Sequence, residues 1–282
     1  MNDKQKSLMG LHLSVVLFGG TGLFAKLIPL SAVDITAIRS FIAAAALLLL
    51  LKALSRRVLL AGAGHCALML LLGVIIGLHW ITFFHAMQVS SVAVGMIALY
   101  TYPVITVFLE PLWKGRLPHP SDIACAGLVF GGVCLMVPDF SLDNSVTRGV
   151  CWGVLSAFLF ALRNVLQRHY LSQYRGDTSM LYQTFAAGMT AIFFLSCDLR
   201  AISLPTWATI VVLALFFTAV PHSLFAGSLR QLKAKTAGLI ACLQPVYGTL
   251  LALALLHEVP RPATVLGGAI IVLAAAVESY RA

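Results

Sequence analysis

The chain is predicted to be an all-α polytopic membrane protein, with ten transmembrane helices arranged as two inverted five-helix repeats. Three observations lead there. Of the 282 residues, 60% are hydrophobic and only 10% are charged, and the mean hydropathy is +0.95. A water-soluble domain carries roughly 25% charged residues. The apolar runs are long and continuous, and about 20 such residues span a bilayer as a helix, whereas a β-barrel shows short alternating segments. The chain also repeats itself. A shift of 142 positions places Pro103 on Pro245, Pro118 on Pro260 and Pro120 on Pro262 without a gap. Self-similarity of this kind marks two related halves.

The first predicted span runs from Leu8 to Leu30, after a short polar start with Lys4 and Lys6. It is too long for a secretory signal and has no convincing cleavage site. It holds Ser14, the stretch Gly19, Gly20, Thr21, Gly22, and Lys26, and Pro29 closes it. Further spans are expected at 33–54, 66–87, 90–112 and 121–137, which completes a first repeat over 1–138. A polar linker, 139–148, separates it from the second repeat, 149–282, with spans at 149–171, 178–197, 205–228, 235–256 and 263–280.

Ten spans put both termini on one side. On that side the loops and ends hold thirteen lysines and arginines, against four (Lys26, Arg148, Arg200, Arg261) on the other. Positive charge marks the cytoplasmic side, so both termini are expected in the cytoplasm and the net charge of +9 needs no nucleic-acid partner. Five spans per half is an odd number, so the second half enters the membrane from the opposite face. Inverted repeats of this kind build secondary transporters, with the site near the midplane where the halves meet.

The residues expected there are polar or aromatic in otherwise apolar helices. Pro103 and Pro245 are read as mid-helix kinks, each freeing a backbone carbonyl, and as paired hinges. Around them stand Tyr100, Tyr102, Gln244 and Tyr247, whose phenols and amide need partners inside a bilayer. His79 lies mid-span on the third helix. It can line a pocket, bond a neighbouring helix or relay protons, and His222 is its approximate counterpart. Trp152, Ser156, Leu159 and Arg163 follow one helical stripe. Arg163 either faces the interior or reaches to the inner surface. Arg39 either holds a carboxylate or pairs with helix ends or Asp34.

No metal-ligand cluster, no Ser/His/Asp set and no phosphate-binding loop is present in the sequence, so neither enzyme chemistry, a metal, a cofactor nor ATP drive is expected. The six cysteines are scattered without a Cys-x-x-Cys pair and are read as small core residues. The first span has no acidic residue, which disfavours a small cation/proton antiporter.

Several stretches resemble a known family. Asp34 to Arg39 opens the second span, the third ends in Ala86 to Ser91, and small residues lead to Tyr102 and Pro103. The second half carries Ser228 to Ala237, Gln244-Pro245-Val246, Leu256-His257-Glu258 and Gly267-Gly268. These resemble the drug/metabolite transporter superfamily, EamA type, over essentially the whole chain, and within it the aromatic amino acid exporters of Gram-negative inner membranes. The resemblance implies a cavity among helices 1, 3, 4, 6, 8 and 9, and a monomer in the lipid bilayer of the bacterial inner membrane. It implies export of amino acids, aromatic and other apolar, and related small metabolites. The carrier would work by alternating access, uncoupled, with His79, Tyr100, Tyr102, Trp152, Arg163, His222, Gln244 and Tyr247 at the site. The runner-up is a proton-driven drug or metabolite-conjugate exporter. One departure stands out: family members often place a glutamate at the end of this helix in both halves, and here Glu258 has Arg116 as its counterpart.

Overall fold

The structure, a computed structural model, describes residues 3–56, 58–113, 115, 117, 120–139, 141–228 and 240–281. All the regular structure among these is helical. In the first half, α1 is Asp3–Gly20, α2 Phe24–Leu27, α3 Ala32–Ala53, α4 Ala63–Val89, α5 Val92–Leu99, α6 Tyr102–Trp113 and α7 Pro120–Met136. In the second, α8 is Ser145–Tyr170, α9 Gly176–Ile192, α10 Leu204–Ala214, α11 Val220–Ser228, α12 Gln244–Leu256 and α13 Pro262–Arg281. Helix lies at every predicted span. By length and composition, 6 segments can cross a membrane: Gln5–Leu27, Ala32–Ala53, Ala63–Val89, Val92–Pro111, Ser145–Tyr170 and Leu204–Phe225. Asp122–Met136, Gln244–Leu256 and Pro262–Val277 are shorter apolar helices. The start of the ninth span at 235, the Ser228 to Ala237 stretch beyond its first residue, and Arg116 and Pro118 lie outside the described residues.

Helix starts follow local chemistry. Ser31 accepts a bond from the Asp34 N–H, Ser91 from Val94, and Asn144 from Val146 and Thr147. Each satisfies amides that the first turn leaves free. Helix interruptions are as informative. The four-residue stretch from Gly19 turns into a tight 3-10 segment, Thr21–Leu23, that joins α1 to α2. A π-helical turn, Leu215–Ala219, joins α10 to α11. The two meet: Thr21 Oγ1 donates to the Phe217 carbonyl at 3.3 Å.

The prolines correct the expectation of mid-helix kinks. α5 ends at Leu99, Tyr100 and Thr101 form a turn, and Pro103 is the second residue of α6. Pro245 likewise sits in the first turn of α12, after a turn at Cys242 and Leu243. A proline is tolerated in a first turn because its missing N–H would have no helical partner there. Both helices are therefore broken rather than bent.

The packing follows the repeat. α3 lies on α9, its counterpart 142 positions on, and α7 lies on α13. α1 packs on α11, and in the mirrored pair α8 packs on α4. α3 and α9 run antiparallel: Asp34 bonds Ser196, Phe41 meets Phe185 and Arg56 meets Asp177. Lipid tails are as apolar as leucine, so small residues that allow close approach hold such helices together. A Cβ on Gly73 would come within 2.4 Å of the Ala186 Cβ and 2.9 Å of the Gln183 carbonyl oxygen. Between α7 and α13, Gly132 and Gly267 meet backbone to backbone.

The interior is apolar, as in a water-soluble protein, but the outer surface is apolar too, and several polar side chains lie inside. Leu49, Phe130, Phe193 and Leu266 are exposed, whereas Thr36, Arg39, Ser40, Ser156 and Gln183 are buried. Apolar side chains facing outward and polar ones facing inward suit a bundle in hydrocarbon. The cysteines divide: Cys125 and Cys242 are buried, Cys66, Cys134 and Cys197 partly so, and Cys151 is exposed, which corrects its core reading. It sits on the outward face of α8.

Candidate functional site

The two helix breaks face each other. Tyr100, at the end of α5, donates to the Ala241 carbonyl and to Gln244 Oε1, the latter at 3.2 Å. The break in one half thus satisfies the break in the other. Tyr102 packs edge-on against Tyr100 at 5.5 Å and against Phe160 of α8 at 4.9 Å. Tyr247 is partly buried and packs against Leu11, Val15 and Ala241. A Cβ on Gly19 would come within 2.9 Å of the Tyr247 Cβ, so α1 and α12 touch at the level of the break.

A second polar group joins α4 to α8. His79 Nδ1 lies 2.8 Å from Ser156 Oγ and 3.0 Å from the Ser156 carbonyl, and Ser156 Oγ donates to the His79 carbonyl at 3.0 Å. The imidazole stacks on Phe160 at 4.8 Å and Phe83 at 5.9 Å. Of the three readings of His79, interhelical bonding is the one with an observed partner.

Arg163 does not extend to the surface. Its Nε and Nη2 both donate to Gln183 Oε1, at 2.8 and 2.6 Å, and its Nη1 donates to Asn164 Oδ1 at 3.0 Å. Gln183 passes its amide on to Gln167 at 2.7 Å. The guanidinium is tied into an α8–α9 network, and Gln183, the centre of that network, escaped the sequence reading. Its signal was an amide within an apolar run.

Trp152 lies on its predicted stripe but not in the interior. It is 38% exposed and meets His85 edge-on at 5.1 Å, because the helical turn that buries Ser156 carries residue 152 towards the bundle rim. His222 Nδ1 donates to the Thr218 carbonyl of its own helix at 2.6 Å. Its ring lies 4.8 Å from Phe18 and 6.2 Å from Trp80. Trp80 is its true repeat counterpart, 142 positions earlier, so this pair touches across the halves.

Arg39 does not pair with Asp34. It is 1% exposed, and its guanidinium lies 4.4 Å from the Trp80 ring centre and 4.5 Å from that of Phe84. Asp34 is engaged elsewhere, accepting from Ser31, the Ser196 N–H and Ser196 Oγ. Nε and Nη2 of Arg39 have no hydrogen-bond partner among the described residues, nor do Thr36 Oγ1 and Ser40 Oγ. A cation over a desolvated ring gains about 2 kcal/mol, whereas burying a charge costs several kcal/mol. The rings alone do not close that gap.

Ion pairs sit at both ends of the bundle. At one, Lys26 donates to the Ser90 carbonyl at 2.9 Å and lies 3.9 Å from Glu258, whose Oε2 accepts from the Val92 N–H at the start of α5. At the other, Arg168 lies 3.4 Å from Glu110, and Arg56 and Arg175 flank Asp177. Burial alone would raise the Asp177 carboxyl. The bonds from Arg175 and the Thr178 N–H, and the charges of Arg175 and Arg56, hold it below its ordinary value. Lys26 and Arg168 are repeat counterparts, each meeting a glutamate of the opposite half. Two open cavities of about 330 and 380 Å³ lie away from the predicted site. Pro29, Leu30, Asp198 and Ile202 line the first, and Phe41, Ala44 and Phe185 the second.

Residues 5–137 and 147–280 each match the model of the EamA-like transporter family. The chain belongs to that family. It is a multi-pass membrane transporter of small molecules built from two repeats. It is 24% identical over 260 residues to an uncharacterized transporter, YxxF, of Bacillus subtilis (strain 168), covering 89% of this chain and 83% of that one. It is 25% identical over 187 residues to an uncharacterized transporter of Archaeoglobus fulgidus, covering 66% of each. A solved crystal structure aligns with a TM-score of 0.67 at 18% identity, covering 98% of this chain and 96% of that one, and shows the shared fold.

Proposed function

We propose that this EamA-family transporter exports amino acids, aromatic and other apolar ones among them, and related small metabolites. It works by alternating access as an uncoupled facilitator in a bacterial inner membrane, with both termini cytoplasmic. The observation that carries the reading is the bridge from Tyr100 to Ala241 and Gln244. Broken helices that meet at mid-bundle place backbone carbonyls and half-helix starts where a solute's polar groups need partners, and transporters use them for that purpose. The aromatic rings beside the breaks supply flat apolar walls.

The antiparallel contact of α3 with its repeat counterpart α9 is what ten spans in two inverted halves require. Ion pairs between halves at both ends supply two contacts that alternating access would break and remake in turn, with the two breaks as hinges. The test is uptake of labelled amino acids into liposomes holding the purified chain, with and without an imposed pH gradient. Saturable phenylalanine uptake indifferent to the gradient is expected. Uptake only under a gradient overturns the uncoupled mechanism, and no uptake of any amino acid overturns the cargo.

A further inference from the structure

We propose that Arg39, with the hydroxyls of Thr36 and Ser40, forms a buried binding site for the carboxylate of the transported solute. It rests on the transport reading above for its cargo, but its geometry is independent of the broken helices. The unpartnered nitrogens of Arg39 are Nε and Nη2. Those two form one edge of the guanidinium fork, the edge that a carboxylate meets with two parallel hydrogen bonds. The Trp80 and Phe84 rings lie against the cation and fix where it sits without accepting a hydrogen bond from that edge.

Thr36 lies one turn before both Arg39 and Ser40 on α3, three and four residues away, so its hydroxyl stands between theirs on that side of the helix. Buried hydroxyls in a helix ordinarily donate to the carbonyl four residues back, as Thr82 does to Leu78 at 2.8 Å. Thr36 and Ser40 do not. Four polar atoms on one face of one helix, all buried and all unpaired, are a donor set waiting for an acceptor of matching shape. A buried Asp34 stands five residues away but is spent on Ser196, so it does not neutralise the Arg39 charge. Trp80, which lies against Arg39, also touches His222 of the second half. A carboxylate held at Arg39 would place the rest of a zwitterion beside that ring pair.

The experiment uses the full chain in detergent and in liposomes. Thermal unfolding is followed with phenylalanine, with phenylpropionate, which keeps the carboxylate and lacks the amine, and with phenylalaninamide, which lacks the carboxylate. The two acids should stabilise the wild type and the amide should not. Arg39→Met should weaken the acids on the order of 10-fold or more, the loss of one charged two-bond pair, without lowering the melting temperature of the unliganded protein. Arg39→Lys should bind weakly. If Arg39→Met does not fold, Thr36→Val with Ser40→Ala provides the same test by a smaller loss of acid binding. Phenylalanine uptake that phenylalaninamide inhibits equally, or an unchanged KM in Arg39→Met, overturns the site and leaves the exporter reading standing. Stabilisation by phenylpropionate that Arg39→Met abolishes, without uptake of any amino acid, does the reverse.

Discussion

Two arginines lie within the spans of this bundle, Arg39 buried and Arg163 partly so, and their surroundings are opposite. Arg163 gives four hydrogen bonds to Gln183, Asn164 and Met180 and is tied by them into α9. Arg39 lies over two rings with one edge of its fork unpaired. In a bilayer a charge without partners is expensive, and its persistence marks function rather than architecture. The first arginine reads as a fastener between helices. The second reads as a receptor for something the chain does not contain. Proximity in sequence to a motif would not have separated them; only the census of acceptors does.

The sharpest way to break the comparison is to remove the fastener's partner. Gln183→Leu strands the Arg163 charge and should cost about 3 kcal/mol, seen as a lower melting temperature in micelles, whereas Arg39→Met should cost none. Equal losses would erase the distinction. Tyr100→Phe removes the hydroxyl that joins the two helix breaks and should cost about 1 kcal/mol, with a larger loss of phenylalanine uptake than of stability. Ser156→Ala frees His79 from its neighbour and should cost about 0.6 kcal/mol, the mean for bonds between membrane helices. Partnership at the rim should count for less. Lys26→Met and Glu258→Gln should each shift stability by under about 0.5 kcal/mol, and a double-mutant cycle on the pair should show coupling no larger than that, while cysteine labelling at that end changes more. Asp177 sharpens the point with pH. Its carboxyl is held below the ordinary value, so its contribution is full above the unfolded value of about 3.9 and is lost as pH falls through the lowered folded one. Asp177→Asn should remove that acid dependence from a melting-temperature titration.

Much of the fold was legible because hydrocarbon imposes a simple rule. Runs of leucine, valine and alanine long enough to span became helices at every predicted position, and the offset of the prolines anticipated where two helices break. What the prolines did not say is that the chain stops and restarts there. The difference between a kink and a break depends on whether the freed carbonyls find partners, and Tyr100 finds one 141 residues away. Site residues were less legible for a related reason. A stripe from Trp152 to Arg163 is correct as helical geometry, but which face of α8 turns inward is decided by Gly149 and Gly153, which nestle against Ser90 and Ala98. That rotation exposes Trp152. Gln183 was overlooked because its importance comes from Arg163, on another helix, and Thr36 and Ser40 because a hydroxyl in a helix is ordinary until its usual bond is found missing.

The contact of Trp80 with His222 has a historical consequence. In a chain of two inverted halves, repeat counterparts that touch one another would lie on the axis relating the halves. In an ancestral pair of identical half-length chains, a residue at that place would have met a copy of itself. A large indole facing an imidazole is a contact open only to halves that are free to diverge, as two halves of one chain are. Once they differ, the two directions through the centre are no longer equivalent, and a symmetric ancestor acquires a front and a back.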